Sequence, residues 1–231
     1  MPEYITVIAA KKVKGGVISL KTDIDEYLYD ELKTLLPHAD DRRIGSEDEY
    51  RRIYLSPAVA EKYQLRPGVR IEYAELIEII EASNFARAKS KALSLLTGRD
   101  YSTGGLIKKL SETYPKAAAE AACSEMVRLG FIKEEDYGRR LAEEYICRRG
   151  MSKRQAVMKL RDKGFDAGLA ESLADSVEYN PTESINKILS SKYGELPTDA
   201  AGRRKMYDML YRKGFSSAEI SAAIDEFLYD E

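Results

Sequence analysis

The sequence predicts a mainly α-helical fold: tandem three-helix repeats that form an elongated, curved array, with a small β-containing region at the N-terminus. The main observation is a sequence motif that occurs twice, 50 residues apart, at Leu160–Phe165 and Leu210–Phe215. A weaker third copy is Met126–Phe131. Capped helices flank each copy. A small helical unit cannot bury its apolar face alone, so repetition indicates that the units stack.

Each copy of this motif is typical of a helix end. Gly130, Gly164 and Gly214 can take the left-handed conformation just after the last helical residue, where a Cβ would be unfavourable. In a Schellman motif the next residue folds back on an apolar residue five positions earlier. The expected pairs are Met126 with Phe131, Leu160 with Phe165, and Leu210 with Phe215. The alternative is three unrelated helices that each end at glycine.

Residues 1–80 predict mixed structure. The β-branched runs 5–10 and 17–20 flank Lys14–Gly16, which indicates a hairpin. A helix is expected over 23–36, and Pro37 ends it. The further elements expected here are an acidic loop over 38–50, short strands over 52–55 and 69–73, and a helix that begins at Ser56-Pro57.

From about residue 74 onward the sequence predicts helices alone. The first covers 74–97, with a break near Ser83-Asn84. The later helix starts are marked at Ser102, Pro115, Glu135, Ser152, Asp166, Asn180, Pro197–Asp199 and Ser216. The expected divisions are an N-terminal α+β region over 1–80 and three-helix repeats over 81–133, 134–179 and 180–231.

Charge is distributed unevenly, although the net charge is only −2. Segment 21–50 has ten acidic and four basic residues, whereas segment 139–163 has nine basic and three acidic residues. Clustered positive charge favours a polyanion or an acidic protein surface as partner. The alternative is an ordinary solvated helix surface. The candidate partner-binding residues are Arg139, Arg140, Arg148, Arg149, Lys153, Arg154, Arg161, Lys163, Arg203, Arg204, Arg212 and Lys213.

Residue patterns typical of catalysis are weak in this sequence. Gly104-Gly105 matches neither a phosphate-binding loop nor a dinucleotide fingerprint. His38 is the only histidine and follows a proline at a helix end, where a solvated side chain is the ordinary outcome. Glu143-Glu144 could act as a general acid and base, but arginines four residues away favour surface ion pairs. We therefore expect no enzyme, and no catalytic, cofactor-binding or metal-binding residue.

The two cysteines and the chain's hydropathy indicate a cytoplasmic protein. Cys123 and Cys147 lie in helical patterns without metal or redox spacing, so we expect reduced core thiols. No apolar run approaches the roughly 18 residues needed to span a membrane. The first four residues lack a basic-then-apolar signal pattern.

Several of these motifs resemble those of one family. The run Met126–Tyr137, followed by Arg148-Arg149-Gly150 and Leu160–Phe165, resembles the RecX family of regulators of the RecA recombinase. The stretch Ala88–Thr103, which leads to Leu106, resembles the first repeat of that family. The resemblance covers roughly residues 50–231. The sequence departs from the family at Tyr114-Pro115, where a glycine-containing stop is usual, and in its longer, acidic N-terminal region.

The resemblance implies a fold and a function. RecX proteins consist of tandem three-helix repeats and have no catalytic residues of their own. They bind RecA, notably the RecA–DNA filament, and inhibit its recombinase, ATPase and coprotease activities. The partners that we expect are therefore the RecA filament and the single-stranded DNA within it, with no membrane partner and with the chain as a monomer. The alternative function is a helical-repeat protein that binds DNA directly.

Overall fold

The β-branched runs near the N-terminus form a four-stranded antiparallel sheet. It is seen in a computed structural model that describes residues 4–38, 51–193 and 199–229. The predicted hairpin is confirmed, since Gly15 and Gly16 join the first two strands with φ angles of +99° and +73°. The strands are β1 Tyr4–Val13, β2 Val17–Thr22, β3 Arg51–Leu55 and β4 Arg70–Glu72, in the spatial order β3-β2-β1-β4.

Two short helices complete this region. Helix α1 is Glu26–Leu32, capped by Asp25, and it passes into a 3₁₀ turn at Lys33–Leu35. Helix α2 is Pro57–Lys62. The predicted loop over 38–50 lies outside the described residues from position 39 onward. The sheet and these helices enclose a core that includes Leu20, Leu32, Ile53, Ile71, Leu76 and Ile80.

The helix predicted over 74–97 is continuous, so the expected break near Ser83-Asn84 is wrong. Helix α3 runs without interruption over Tyr73–Gly98. Ser83 and Asn84 are buried and bind neighbouring backbone groups. The Ser83 Oγ accepts from the Ser56 N–H at 2.8 Å, and the Asn84 Nδ2 donates to the Leu35 carbonyl at 2.5 Å. Because these side chains bind distant backbone groups, they do not compete for the backbone hydrogen bonds of α3, which explains why the helix continues.

The rest of the described chain is helical. The helices are α4 Thr103–Ser111, α5 Lys116–Arg128, α6 Glu134–Glu143, α7 Lys153–Asp162, α8 Ala167–Asp175, α9 Pro181–Lys192, α10 Ala200–Arg212 and α11 Ser217–Tyr229. Asp199 caps α10, whereas Pro197 and Thr198 of the predicted start lie outside the described residues. The predicted fold class, mainly α with a small N-terminal sheet, is confirmed.

The three glycine-terminated helix ends are confirmed. Gly130, Gly164 and Gly214 have φ angles of +74°, +91° and +85°. In each copy the N–H of the following phenylalanine donates to the carbonyl five residues earlier, at 3.0, 3.2 and 3.3 Å, as in a Schellman motif. Phe165 and Phe215 are buried, but Phe131 is 54% exposed. In that weaker copy Ile132, one residue later, is buried instead.

The chain forms two compact units. One contains the described residues up to Asp100 together with Leu106–Ile132, and the other contains Tyr101–Gly105 and the described residues from Lys133 onward. The second unit has two apolar clusters, each drawn from three consecutive helices. Ile146, Leu160, Phe165 and Leu173 lie in the cluster of α6–α8, and Ile185, Leu189, Leu210, Phe215 and Ile220 lie in that of α9–α11. The division into three repeats at the stated boundaries remains a prediction.

An ion cluster joins α3 to α5 within the first unit. The Glu125 carboxylate lies 2.7 Å from the Arg128 Nε and 3.0 Å from the Lys89 Nζ. Hydrogen bonds from Arg128 first, and from Lys89, hold the pKa of Glu125 down at about 2. The carboxylate therefore stays ionised well into the acid range.

Candidate partner-binding site

A π-helical turn positions two of the candidate arginines. Helix α6 continues through Glu144–Arg148 in a wider turn, in which the Arg149 N–H donates to the Glu144 carbonyl at 3.0 Å. As a result, arginines at two successive positions reach one carboxylate. Arg148 Nη1 lies 3.4 Å and Arg149 Nη2 lies 3.0 Å from the Glu144 oxygens. The predicted ion pair between Glu144 and Arg148 is thus confirmed. The Arg149 guanidinium also lies 5.4 Å from the centre of the Tyr145 ring.

A cavity of about 560 Å³ lies between this turn, α9 and the end of α10, entirely within the second unit. We call it the basic cavity. Its cations are Arg148, Arg149, Lys187, Lys192 and Lys213. Its other lining residues are Cys147, Gly150, Ser184, Ile188, Ser191 and Met209, so none of the described residues that line it is acidic.

The cations of the basic cavity differ in how they are neutralised. Lys187 pairs with Glu183 at 2.7 Å, and hydrogen bonding from Lys187 lowers the pKa of Glu183. The Lys192 ammonium instead lies 3.2 Å from the Met209 thioether, which is a weak acceptor. Within the described ranges, no carboxylate lies at ion-pair distance from Lys192 or Lys213. These two ammonium groups are therefore the most available for an external anion.

A smaller cavity of about 410 Å³ adjoins the π-helical turn on the side of α6. Arg148 and Arg149 line both cavities. Here Arg140 contributes a further cation, but Glu143 and Glu144 contribute carboxylates. The charges of this smaller cavity are therefore nearly balanced, which makes the basic cavity the better anion site.

The structure brings together only part of the predicted set. Arg148, Arg149 and Lys213 line the basic cavity. Lys153 has a structural role, because its Nζ donates to the Asp175 carbonyl at 2.9 Å, at the end of α8. Arg212 Nε similarly donates to a carbonyl of its own helix, that of Asp208. The other predicted residues that line neither cavity are Arg139, Arg154, Arg161, Lys163, Arg203 and Arg204. A partner-binding role for the set remains a prediction.

Sequence reasoning missed Lys187 and Lys192. They lie in α9, whose two lysines and one glutamate, Glu183, give this helix a net charge of only +1. A signal was nevertheless present: Ser184, Lys187, Ile188, Ser191 and Lys192 are spaced by three, four, seven and eight residues, which places them on one helix face. That face lines the cavity.

A repeated serine contact ties the start of one helix to the end of another. The Ser102 hydroxyl donates to the Lys163 carbonyl at 2.6 Å and accepts from the Gly105 N–H at 3.0 Å. The Ser152 hydroxyl does the same with the Lys213 carbonyl, at 2.8 Å, while it accepts from the first turn of α7. We call each arrangement a serine joint. Both serines are only 1% exposed, and the second joint fixes the main chain of Lys213 beside the basic cavity.

Glycine is required at the first serine joint because two backbone segments approach each other closely there. A Cβ at Gly104 would lie 2.4 Å from the Gly164 carbonyl oxygen, and one at Gly105 would lie 2.6 Å from the Lys163 oxygen. A Cβ at Gly164 would lie 2.3 Å from the Gly105 nitrogen. The pair Gly104-Gly105 thus serves helix packing, a role that sequence reasoning did not identify.

The interpretation of both cysteines as core thiols is half wrong. Cys123 is buried, but Cys147 is exposed and lines the basic cavity. The buried positions Ala142, Tyr145 and Ile146 follow i, i+3, i+4 spacing, so Cys147 lies off the buried face of this helix. His38 is exposed, and its backbone N–H donates to the Thr113 carbonyl at 2.9 Å.

Two further findings concern the described part of the chain. None of its helices is both long and apolar enough to cross a bilayer. Nor does any group of three or more His, Cys, Asp or Glu side chains lie close enough together there to hold a metal ion.

The fold and the site define a class: a helical protein made of three-helix groups, with a cationic surface cavity. A family model described as "RecX, third three-helix domain" matches residues 178–224, which include α9 and α10. The regulatory protein RecX of Stenotrophomonas maltophilia R551-3 is 30% identical over 138 residues, which cover 58% of this chain and 82% of that protein. The chain belongs to the RecX family.

Other comparisons agree. The regulatory protein RecX of Clostridium tetani is 26% identical over 191 residues, which cover 80% of this chain and 87% of that protein. A solved structure titled "Crystal structure of regulatory protein RecX" superimposes with a TM-score of 0.59 and 17% identity, and covers 96% of this chain and 99% of the other. That structure supports the fold.

Proposed function

We propose that this protein is a non-catalytic regulator that binds RecA, above all as the RecA–DNA filament in the cytoplasm, and inhibits its recombinase, ATPase and coprotease activities. Membership of the RecX family is the observation on which this proposal rests, since its relatives are named regulatory proteins. The basic cavity is consistent with it. A nucleoprotein filament presents phosphates, which favour clustered cations.

The first test is the single-stranded-DNA-dependent ATPase of RecA, measured with increasing amounts of the full chain. We expect the rate to fall as the protein is added, and the protein to co-sediment with filaments formed with ATP and single-stranded DNA. An unchanged ATPase together with a protein that stays in the supernatant would refute the proposal.

The second test asks whether the predicted basic residues contribute. Lys153 is unsuitable for substitution because its ammonium group caps α8, so loss of binding could reflect loss of structure. We therefore choose the triple variant R148Q/R149Q/R154Q and expect weaker co-sedimentation with filaments. The matched control is K11Q/K12Q/K14Q, which removes the same charge from the β1–β2 hairpin. Equal effects from both triple variants would contradict the assignment of the candidate partner-binding residues.

A further inference from the structure

We propose that the basic cavity is a binding site for a phosphate group, presented by the backbone of single-stranded nucleic acid. The site goes beyond the proposed regulation of RecA, because it needs no recombinase. It also differs from the set of basic residues predicted from the sequence, since Lys187 and Lys192 of α9 form part of it.

The first support is the convergence of cations from three elements. The π-helical turn supplies Arg148 and Arg149, α9 supplies Lys187 and Lys192, and the end of α10 supplies Lys213. Among the residues that the structure describes, no lining residue is acidic. The cavity is a concave site of about 560 Å³, within the range typical of small-ligand sites.

The second support is the state of these cations in the free chain. Lys192 and Lys213 have no carboxylate at ion-pair distance within the described residues, and the Lys192 ammonium approaches a thioether instead. The pair between Lys187 and Glu183 is exposed, at 66% and 64% of the two side chains, so it is weak and can be exchanged for another anion. An anion that enters the cavity therefore gains contacts and displaces little.

The geometry of the donors favours phosphate over carboxylate. A carboxylate offers two oxygens in one plane, and one arginine can satisfy both. The cavity instead has donors on separate elements, which approach from different directions and suit a tetrahedral group. Ser184 and Ser191 add hydroxyl groups to the lining. Ile188 and Met209 supply an apolar part of the wall, against which the sugar of a nucleotide can pack.

The serine joint makes this site rigid on one side. The Ser152 hydroxyl holds the Lys213 carbonyl at 2.8 Å, so the main chain from which the Lys213 ammonium extends is fixed. A fixed origin reduces the entropy lost when the ammonium binds an anion.

The experiment measures binding of fluorescein-labelled dT20 to the full chain by anisotropy, in the absence of RecA. The variant is K192A/K213A, which removes the two cavity lysines that have no ion-pair partner among the described carboxylates. We expect about a 10-fold loss of affinity at low salt. The logarithm of the association constant falls with the logarithm of the salt concentration, and this slope should become less steep by about 0.7, as expected for one lost phosphate contact on a single strand.

The matched control is K109A/K116A, which removes the same net charge from two ion-paired lysines of α4 and α5. It should leave affinity within about 2-fold of the unmodified chain, as expected for exposed ion-paired groups. An equal loss in both double variants, or no loss in either, would overturn the proposal. Thermal melting followed by circular dichroism establishes that both variants remain folded.

Three competitors distinguish the source of the anion. Displacement of labelled dT20 by unlabelled dT20, but not by ATP or inorganic phosphate at equal phosphate concentration, assigns the site to a nucleic-acid backbone. Displacement by ATP or inorganic phosphate as well keeps the phosphate assignment and extends it to free phosphates. Equal displacement by poly-glutamate would overturn it in favour of an acidic protein. RecA is absent throughout, so failure here leaves the ATPase test of the proposed regulation untouched.

Discussion

The second serine joint can be tested by the substitution Ser152→Ala. The Ser152 hydroxyl both caps α7, where it accepts from the Gln155 N–H at 3.2 Å, and donates to the Lys213 carbonyl at 2.8 Å. Loss of an N-cap costs about 1 kcal/mol. Loss of a buried hydrogen bond to a carbonyl costs about another 1 kcal/mol. We therefore expect S152A to lower the free energy of unfolding by about 2 kcal/mol.

Ser216→Ala is the matched control for this prediction. Ser216 also caps a helix, α11, where its hydroxyl accepts from the Glu219 N–H at 3.2 Å, but this serine is exposed. Its loss should cost only about 1 kcal/mol, which is the contribution of the cap. Urea unfolding of both variants gives the difference between them, which isolates the bond to the Lys213 carbonyl.

The outcome that contradicts this reasoning is specific. If S152A and S216A lower the urea midpoint equally, the hydroxyl–carbonyl bond contributes nothing and the joint is a packing contact only. Native-state hydrogen exchange provides a second readout, because only S152A should speed exchange in the last turn of α10.

Further predictions concern a glycine pair, one carboxylate and the thiols. In urea unfolding, Gly214→Ala should lower the free energy of unfolding by at least about 1 kcal/mol more than Gly130→Ala. Both glycines have positive φ, but of the two only Gly214 would place a Cβ 2.7 Å from a side-chain oxygen. Equal losses of stability would contradict this close approach. The pKa of Glu125 is lowered to about 2, so its contribution to stability is present above about pH 4.5 and is lost as the pH falls toward 2. Acid destabilisation between pH 5 and 2 should therefore be smaller in E125Q, as thermal melting at each pH would show; an unchanged pH dependence would count against the ion cluster. Finally, Cys147 should react with a thiol reagent in the native protein and Cys123 only after unfolding; mass spectrometry of the labelled peptides identifies each, and rapid native labelling of Cys123 would contradict its burial.

Much of the helical architecture could be predicted from local signals. Glycine stops, serine and aspartate caps, and apolar spacing depend on a few neighbouring residues, and Gly164 and Gly214 behave as these rules require. The predicted break at Ser83-Asn84 failed because the partners of these polar side chains, Ser56 and Leu35, lie far away in the sequence. Local patterns cannot show which distant backbone group will satisfy a buried hydroxyl or amide.

The candidate site was predicted less well for a related reason. A basic segment gives the sign and approximate place of the charge, and Arg148 and Arg149 do line the cavity. Which cations share a cavity depends on how helices pack, so the net charge of +1 in α9 did not mark Lys187 and Lys192 as part of the site. The π-helical turn, which brings Arg149 to the Glu144 carboxylate, has no simple sequence signal.

The two serine joints also bear on how the second unit loses its structure. Each joint ties the beginning of one helix to the end of a helix 61 residues later. Through the second joint, the cluster around Leu160 and the cluster around Leu210 share a hydrogen bond as well as a chain connection. Such nearest-neighbour coupling makes adjacent helical trios melt together rather than one at a time. Removing the hydroxyl of a serine joint should therefore broaden the melting transition as well as lower its midpoint, since each group of three helices would then unfold with its own equilibrium.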